Sequence, residues 1–246
     1  MHPRSLLNKI QYSFYAGFGL RPKVYLHMKT IYTSILFLLL LTKADAQVNS
    51  IKQLKDIKRD QVYFEALKNI VERYGILGRE EIRQGNLYFP DEPLTHRTLA
   101  IVMVTALDNI RKKFDLVAVK MPESRRDSLY RLFIKKHFRG YADSAVRTLQ
   151  GYAQYIDVDQ QDIDHEYIKR LTNFYRLKLG DTENTFSPDR SITDKEISRI
   201  FSEYFGERSI VTRASAVVTT RGKWAIYLNA LMERLYEAAI DQAHLD

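Results

Sequence analysis

Residues 157–166, Asp-Val-Asp-Gln-Gln-Asp-Ile-Asp-His-Glu, place four Asp, one Glu and one His within ten positions. Oxygen-rich spacing of this kind suits a hard cation such as calcium. An EF-hand loop needs a glycine at its sharp turn and a bidentate Glu at its twelfth position, and this stretch has neither. It reads instead as a solvated acidic loop that opens a helix. The remaining chain is poor in catalytic signatures. It has no Cys, no His-Glu-x-x-His and no Gly-x-Ser-x-Gly. Its carboxylates are not paired in a way that sequence reveals. The residues therefore predict a protein that is not an enzyme and uses no cofactor and no metal.

The charge points nowhere until the N-terminus is set aside. The formal net charge of +8 suggests an anionic partner. Residues 28–46, Met-Lys-Thr-Ile-Tyr-Thr-Ser-Ile-Leu-Phe-Leu-Leu-Leu-Leu-Thr-Lys-Ala-Asp-Ala, have a basic start at Lys29 and an apolar run of eleven residues from Ile31 to Leu41. They end in the small-x-small site Ala44-Asp45-Ala46. These are the three parts of a secretory signal peptide, and the run is short for a bilayer span. Met28 is the expected start, 1–27 an over-extended N-terminus, and cleavage is expected after Ala46. Residues 47–246 then carry 32 Lys/Arg against 29 Asp/Glu, about +3. No basic stripe for nucleic acid remains. With no Cys there is neither a disulfide framework nor a lipid-acceptor site after the signal. The expected location is periplasmic, cell-surface or extracellular in a bacterium, with no stable membrane span in the mature chain.

Beyond Gln47 the pattern is helical. Apolar residues recur at three- and four-residue spacing over 62–75, 95–113, 124–138, 142–155, 164–177, 193–205 and 221–240. Strand-like alternation persists only around 209–218. Hydrophobic content of 45% suffices for a buried core.

Two stretches repeat one loop-to-helix pattern. Tyr88-Phe89-Pro90-Asp91-Glu92-Pro93-Leu94-Thr95 aligns with Phe186-Ser187-Pro188-Asp189-Arg190-Ser191-Ile192-Thr193. Upstream, Leu67, Ile70, Tyr74 and Ile76 align with Ile168, Leu171, Tyr175 and Leu177. The offset is 101 residues before the loop and 98 after it, a difference a loop absorbs. Thr95 and Thr193 are placed as N-caps, and Thr193 with Glu196 has the capping-box form. Behind them, Leu99, Val102, Met103 and Ala106 form one apolar stripe, and Ile197, Ile200, Phe201 and Tyr204 the other. Each copy is a helix–loop–helix unit that cannot bury its apolar face alone.

This pattern resembles the S-layer homology (SLH) repeat. That family reads aspartate-aliphatic, an aromatic-led helix, a Gly-Ile-type turn, an aromatic-x-Pro loop, then Ile-Thr-Arg-Ala-Glu opening a second helix. One copy spans 54–110, with Leu54-Lys55-Asp56-Ile57, Tyr63 to Ile76 and Tyr88 to Leu107. The other spans 155–205, with Tyr155-Ile156-Asp157-Val158, His165 to Leu177 and Phe186 to Phe201. A helical connecting segment, 111–154, lies between them. SLH units often come in threes around a shared axis. Residues 217–235 look like the second half of a third unit, with Thr220-Arg221-Gly222 at the Thr-Arg-Ala position. Val211-Thr212-Arg213-Ala214-Ser215 competes for that match. No first helix is visible ahead of either, so a degenerate third unit over 206–246 is left open. The implied fold is all-α: SLH-type helix–loop–helix repeats packed into a helical bundle, with a helical insert between repeats.

The resemblance implies non-catalytic binding of cell-wall glycan, either peptidoglycan or an attached anionic polymer, through the Arg of the Thr-Arg motif. That position is His96 in the first copy, Asp194 in the second and Arg221 in the partial third. Arg221 is the expected polymer contact, with Lys223 and Trp224 beside it. Weaker candidates are Arg97, His96 and the caps Thr95 and Thr193. Asp194 would repel an anion. The residues by themselves read more blandly: His96 on the surface, Arg221 as a solvated first-turn residue, Trp224 in the core, Asp56 and Asp157 capping the turns that follow them. The competing reading is a structural or protein-interaction helical domain of the envelope that has lost polymer binding, its partner an envelope protein.

Overall fold

The computed structural model describes residues 48–77, 86–138 and 155–244, apart from 163, 181, 183 and 213. Residues 47–246 form one compact unit. Among the described residues there are helices and no strand longer than an isolated bridge, so the chain is all-α there. Residues 28–46, where a signal peptide is expected, and most of the helix pattern at 142–155 lie outside the described residues.

Among the described residues, six α-helices follow a 3-10 turn over Ile51–Gln53. Helix α1 is Phe64–Lys68, continued by a π turn over Asn69–Arg73. Helix α2 is His96–Val117 and α3 is Glu123–His137. Helix α4 is Asp164–Lys169 with a π turn Arg170–Phe174, and α5 is Asp194–Ile200 with a π turn Phe201–Phe205. Helix α6 is Arg221–Ala243. The expected helices over 62–75, 95–113, 124–138, 164–177, 193–205 and 221–240 are all present with shifted ends. Helix α2 runs on to Val117, so the boundary between 110 and 111 falls inside a helix. The alternation at 209–218 forms no strand. Among its described residues, Val218 forms an isolated bridge with Thr193, and the Val217 and Ser215 carbonyls accept the amides of Asp194 and Lys195.

The long helices α2 and α6 pack together at the centre. Helix α1 lies on α6, α4 on α2, and α3 on α6. The aligned residues of the two copies fill the core: Leu67, Ile70, Tyr74 and Ile76 are buried, and so are Ile168, Leu171, Tyr175 and Leu177. Each fully buried aliphatic side chain contributes about 1.5–3 kcal/mol. The copies also end alike. The amide of Ile76 donates to the Ile70 carbonyl and that of Leu177 to the Leu171 carbonyl. Between them, Gly75 and Arg176 both take φ +59°, the left-handed residue that closes a helix.

Three loops meet where α2, α5 and α6 begin. Their antiparallel bridges join Pro93 to Thr220, Thr95 to Ser191, and Thr193 to Val218. The bonds run in a ring. The Leu94 amide donates to Thr219, the Thr219 amide to Ile192, and the Ile192 amide to Leu94, at 2.8, 2.8 and 2.9 Å. Leu94, Ile192 and Thr219 are all fully buried. Three chain segments therefore hold equivalent places around one axis. The third is 215–223, with Thr220 as its cap, and the competing match at 211–215 has no such place. Among the described residues of 206–220 there is no helix to complete a third unit. Helix α3 instead packs on α6, and Phe138 at its end meets Phe205 edge-on at 5.3 Å.

Candidate functional site

The ring sets the first turns of α2, α5 and α6 side by side. Each starts on a Thr whose hydroxyl accepts an amide of its own first turn: Thr95 from Thr98, Thr193 from Glu196, Thr220 from Lys223. The capping box at Thr193 is complete, since Glu196 accepts from the Thr193 amide at 2.8 Å. Each first helical residue is then pinned by the preceding loop of the ring. The amides of His96, Asp194 and Arg221 donate to the carbonyls of Arg190, Val217 and Glu92. Those of Arg97, Lys195 and Gly222 donate to Pro188, Ser215 and Pro90. Amides that would be free at an open helix start are thus consumed by neighbouring loops.

The three family positions are consequently buried: His96 at 2%, Asp194 at 0% and Arg221 at 5% exposure. This corrects the surface placement of His96 and the solvated placement of Arg221. The reason is the pinned backbone, which turns position one of each helix inward.

His96 stands between a carbonyl and a guanidinium. Its Nδ1 lies 2.7 Å from the Phe186 carbonyl oxygen and its Nε2 2.7 Å from Arg190 Nη2. A carbonyl only accepts and a guanidinium only donates. The ring is therefore the neutral Nδ1–H form. Arg190 also binds Glu196 at 2.7 Å. Burial opposes the charged form of Glu196, but Arg190 and the Thr193 amide and hydroxyl outweigh it and hold its carboxyl at about 2.

Asp194 is buried and bonded within the protein. Its carboxylate accepts from Thr219 at 2.7 Å and Ser215 at 3.0 Å, and pairs with Lys223 Nζ at 2.5 Å. Burial works against its charge, yet Lys223, Thr219 and Ser215 hold it below the usual carboxylate range. Arg221 lies over the Tyr88 ring at 4.7 Å, and the Tyr88 hydroxyl donates to the Arg221 carbonyl at 3.0 Å. A cation stacked on a ring in this way gains about 0.5–2 kcal/mol. Trp224 is 2% exposed and packs against Phe201 at 5.9 Å, in the core as its helix position suggests.

Arg97, one residue past its family position, is enclosed by acid. It pairs with Asp162 at 3.0 Å, with Asp164, and with Asp189 at 3.3 Å. Two acids of the 157–166 stretch are therefore spent on a guanidinium. Asp164 is buried, which corrects its place in a solvated loop. Asp56 and Asp157 do not cap the turns that follow them. Asp56 accepts the amides of Tyr88 and Phe89, and Asp157 those of Phe186 and Ser187. Each anchors the distant loop of its own copy, where Phe89 and Ser187 take a positive φ of 54°.

The structure thus gathers His96, Asp194, Arg221, Lys223 and Trp224 about one ring and leaves Arg97 in a separate acidic cluster. Sequence reasoning missed the Asp194–Lys223 pair. Its signal was the five-residue spacing from Pro90, Pro188 and Ser215 to Thr95, Thr193 and Thr220. No protein family, curated protein or solved structure matches this chain.

Proposed function

We propose that the chain is a non-catalytic, SLH-like module of the bacterial envelope that acts as a structural or protein-interaction domain. One observation carries this reading. All three positions where the SLH pattern would present a side chain to an anionic polymer are buried and engaged inside the protein. The cyclic pairing of three equivalent loops, seen in the bonds among Leu94, Ile192 and Thr219, supports the SLH-like arrangement. The signal-like residues 28–46 support export to the periplasm or cell surface.

Glycan binding is the second reading, and one observation favours it. Arg221 keeps the family's cation, and the Lys223 side chain two residues on is 42% exposed. Both readings are tested by co-sedimentation with purified peptidoglycan sacculi, using wild type, Arg221→Ala and Lys223→Ala. Absence of pelleting by folded wild type is the expected result. Salt-sensitive pelleting lost in either variant would replace it with the glycan reading.

A further inference from the structure

Charge is unevenly spread over residues 47–246. From Arg111 to Phe138 there are nine Lys/Arg and three Asp/Glu, net +6. Residues 47–246 as a whole hold 32 against 29, so everything outside this stretch is net −3. The stretch is the last seven residues of α2, the turn, and α3 with Phe138 after it. It is a hairpin tied by Arg111 to Asp127 at 2.5 Å and by Phe114 to Tyr130 at 5.3 Å. Two of the three acids, Asp115 and Asp127, are spent on Arg111. Among the described residues, Lys112, Lys120, Arg125, Arg131 and Lys136 are exposed and form no ion pair.

Helix energetics account for only part of this charge. Lys135, Lys136 and His137 occupy the last turn of α3, where the macrodipole favours cations. Arg125 and Arg126 sit near its start, where the dipole disfavours them. Large apolar residues are exposed among the cations. Leu116 is 70% exposed, Val119 63% and Leu132 55%. On α2, Lys112 and Leu116 lie four residues apart on one face, and the exposed Val119 and Lys120 follow in the turn. On α3, Arg125, Leu132 and Lys136 follow helical spacing along one stripe. Single exposed aliphatics need no explanation, but aliphatics set between unpaired cations have a chemistry. Cations seek phosphate, and the aliphatic chains enter the boundary between headgroup and acyl layer. A soluble anionic polymer would use the cations and leave Leu116, Val119 and Leu132 idle.

We propose that the α2–α3 hairpin is a docking surface for an anionic lipid bilayer. This goes beyond the envelope reading above and concerns another face. Lys112 is about 24 Å along α2 from His96 at a rise of about 1.5 Å per residue.

The test is partition of the whole chain onto vesicles of phosphatidylcholine, alone or with roughly three-tenths phosphatidylglycerol, at about 0.1 M salt. Three variants are compared: Lys112→Glu/Lys120→Glu/Arg125→Glu/Arg131→Glu, the same four positions as Gln, and Leu116→Ser/Val119→Ser/Leu132→Ser. All sites are exposed, and circular dichroism checks that helicity is kept. Residues 1–46 are common to every protein, so their own affinity for lipid cancels between variants. Wild type is expected to prefer the anionic vesicles by about tenfold or more. Both charge variants and the serine variant bind anionic vesicles about tenfold more weakly than wild type. Equal partition of wild type onto both vesicles overturns the proposal. So does full binding by the serine variant together with equal binding to soluble dextran sulfate, which would assign the cations to a polymer.

Discussion

The amide of Leu94 donates to the carbonyl of Thr219 at 2.8 Å, and this bond closes a ring that Ile192 completes. Both residues are fully buried. A buried amide without a partner costs about 1–3 kcal/mol, so none of the three loops can leave without stranding groups on the other two. That mutual dependence makes the starts of α2, α5 and α6 one cooperative unit.

Asp194 and Lys223 couple α5 to α6. Removing one partner of a buried pair costs about 3–5 kcal/mol, but the half-exposed Lys223 recovers hydration, so Asp194→Ala is expected to cost about 2–3 kcal/mol. Lys223→Met strands a buried carboxylate on the hydroxyls of Thr219, Ser215 and Tyr227 and should cost at least as much. Urea unfolding of both single variants and the double variant measures the coupling. A double variant whose loss equals the sum of the singles would mean that the pair does not act together.

Glu196 makes stability depend on acid. Its carboxyl stands at about 2 in the folded chain against an ordinary 4.5. A depressed carboxylate contributes stability that is fully present above the unfolded value and is lost as pH falls through the folded one. Wild type should therefore lose stability between about pH 4.5 and 2. Glu196→Gln should be less stable at neutral pH and flatter over that window. Parallel profiles for the two proteins would refute the assignment.

Gly222 is tested by one methyl group. A Cβ there would stand 2.6 Å from Cδ1 and 2.8 Å from Cε1 of Tyr63, a buried ring. Helix propensity alone favours Ala over Gly by about 1 kcal/mol. Overpacking costs about 1–3 kcal/mol, so Gly222→Ala should be net destabilising. A rise in melting temperature would show that Tyr63 can move aside.

Gly75 and Arg176 share φ +59° at equivalent helix ends. A Cβ at Gly75 meets nothing nearer than Asn109 Nδ2 at 3.8 Å, so the cost of Gly75→Ala is conformational, about 1 kcal/mol. Denaturant midpoints report it. No change would mean that the backbone relaxes out of the left-handed region.

Much of the architecture could be read from local pattern. Apolar spacing locates the helices because a helix shows its buried stripe at three- and four-residue intervals. The caps Thr95 and Thr193 were legible because a hydroxyl meets the amides of its own first turn, only three residues away. The repeat was legible because Leu67, Ile70, Tyr74 and Ile76 face the same demands as Ile168, Leu171, Tyr175 and Leu177.

The candidate site was not legible in the same way. Whether His96, Asp194 and Arg221 face solvent depends on carbonyls from three distant loops, and no local rule places them. Sequence by itself determined the described α-helices, the caps Thr95 and Thr193 and the shared pattern of the two stretches, because those follow from contacts within a few residues. Only the tertiary structure decided that 215–223 takes the third place in the ring, that Asp194 meets Lys223, and that Arg97 is enclosed by Asp162, Asp164 and Asp189. The physical reason is that burial and charge pairing belong to side chains brought together by packing, whatever their separation along the chain.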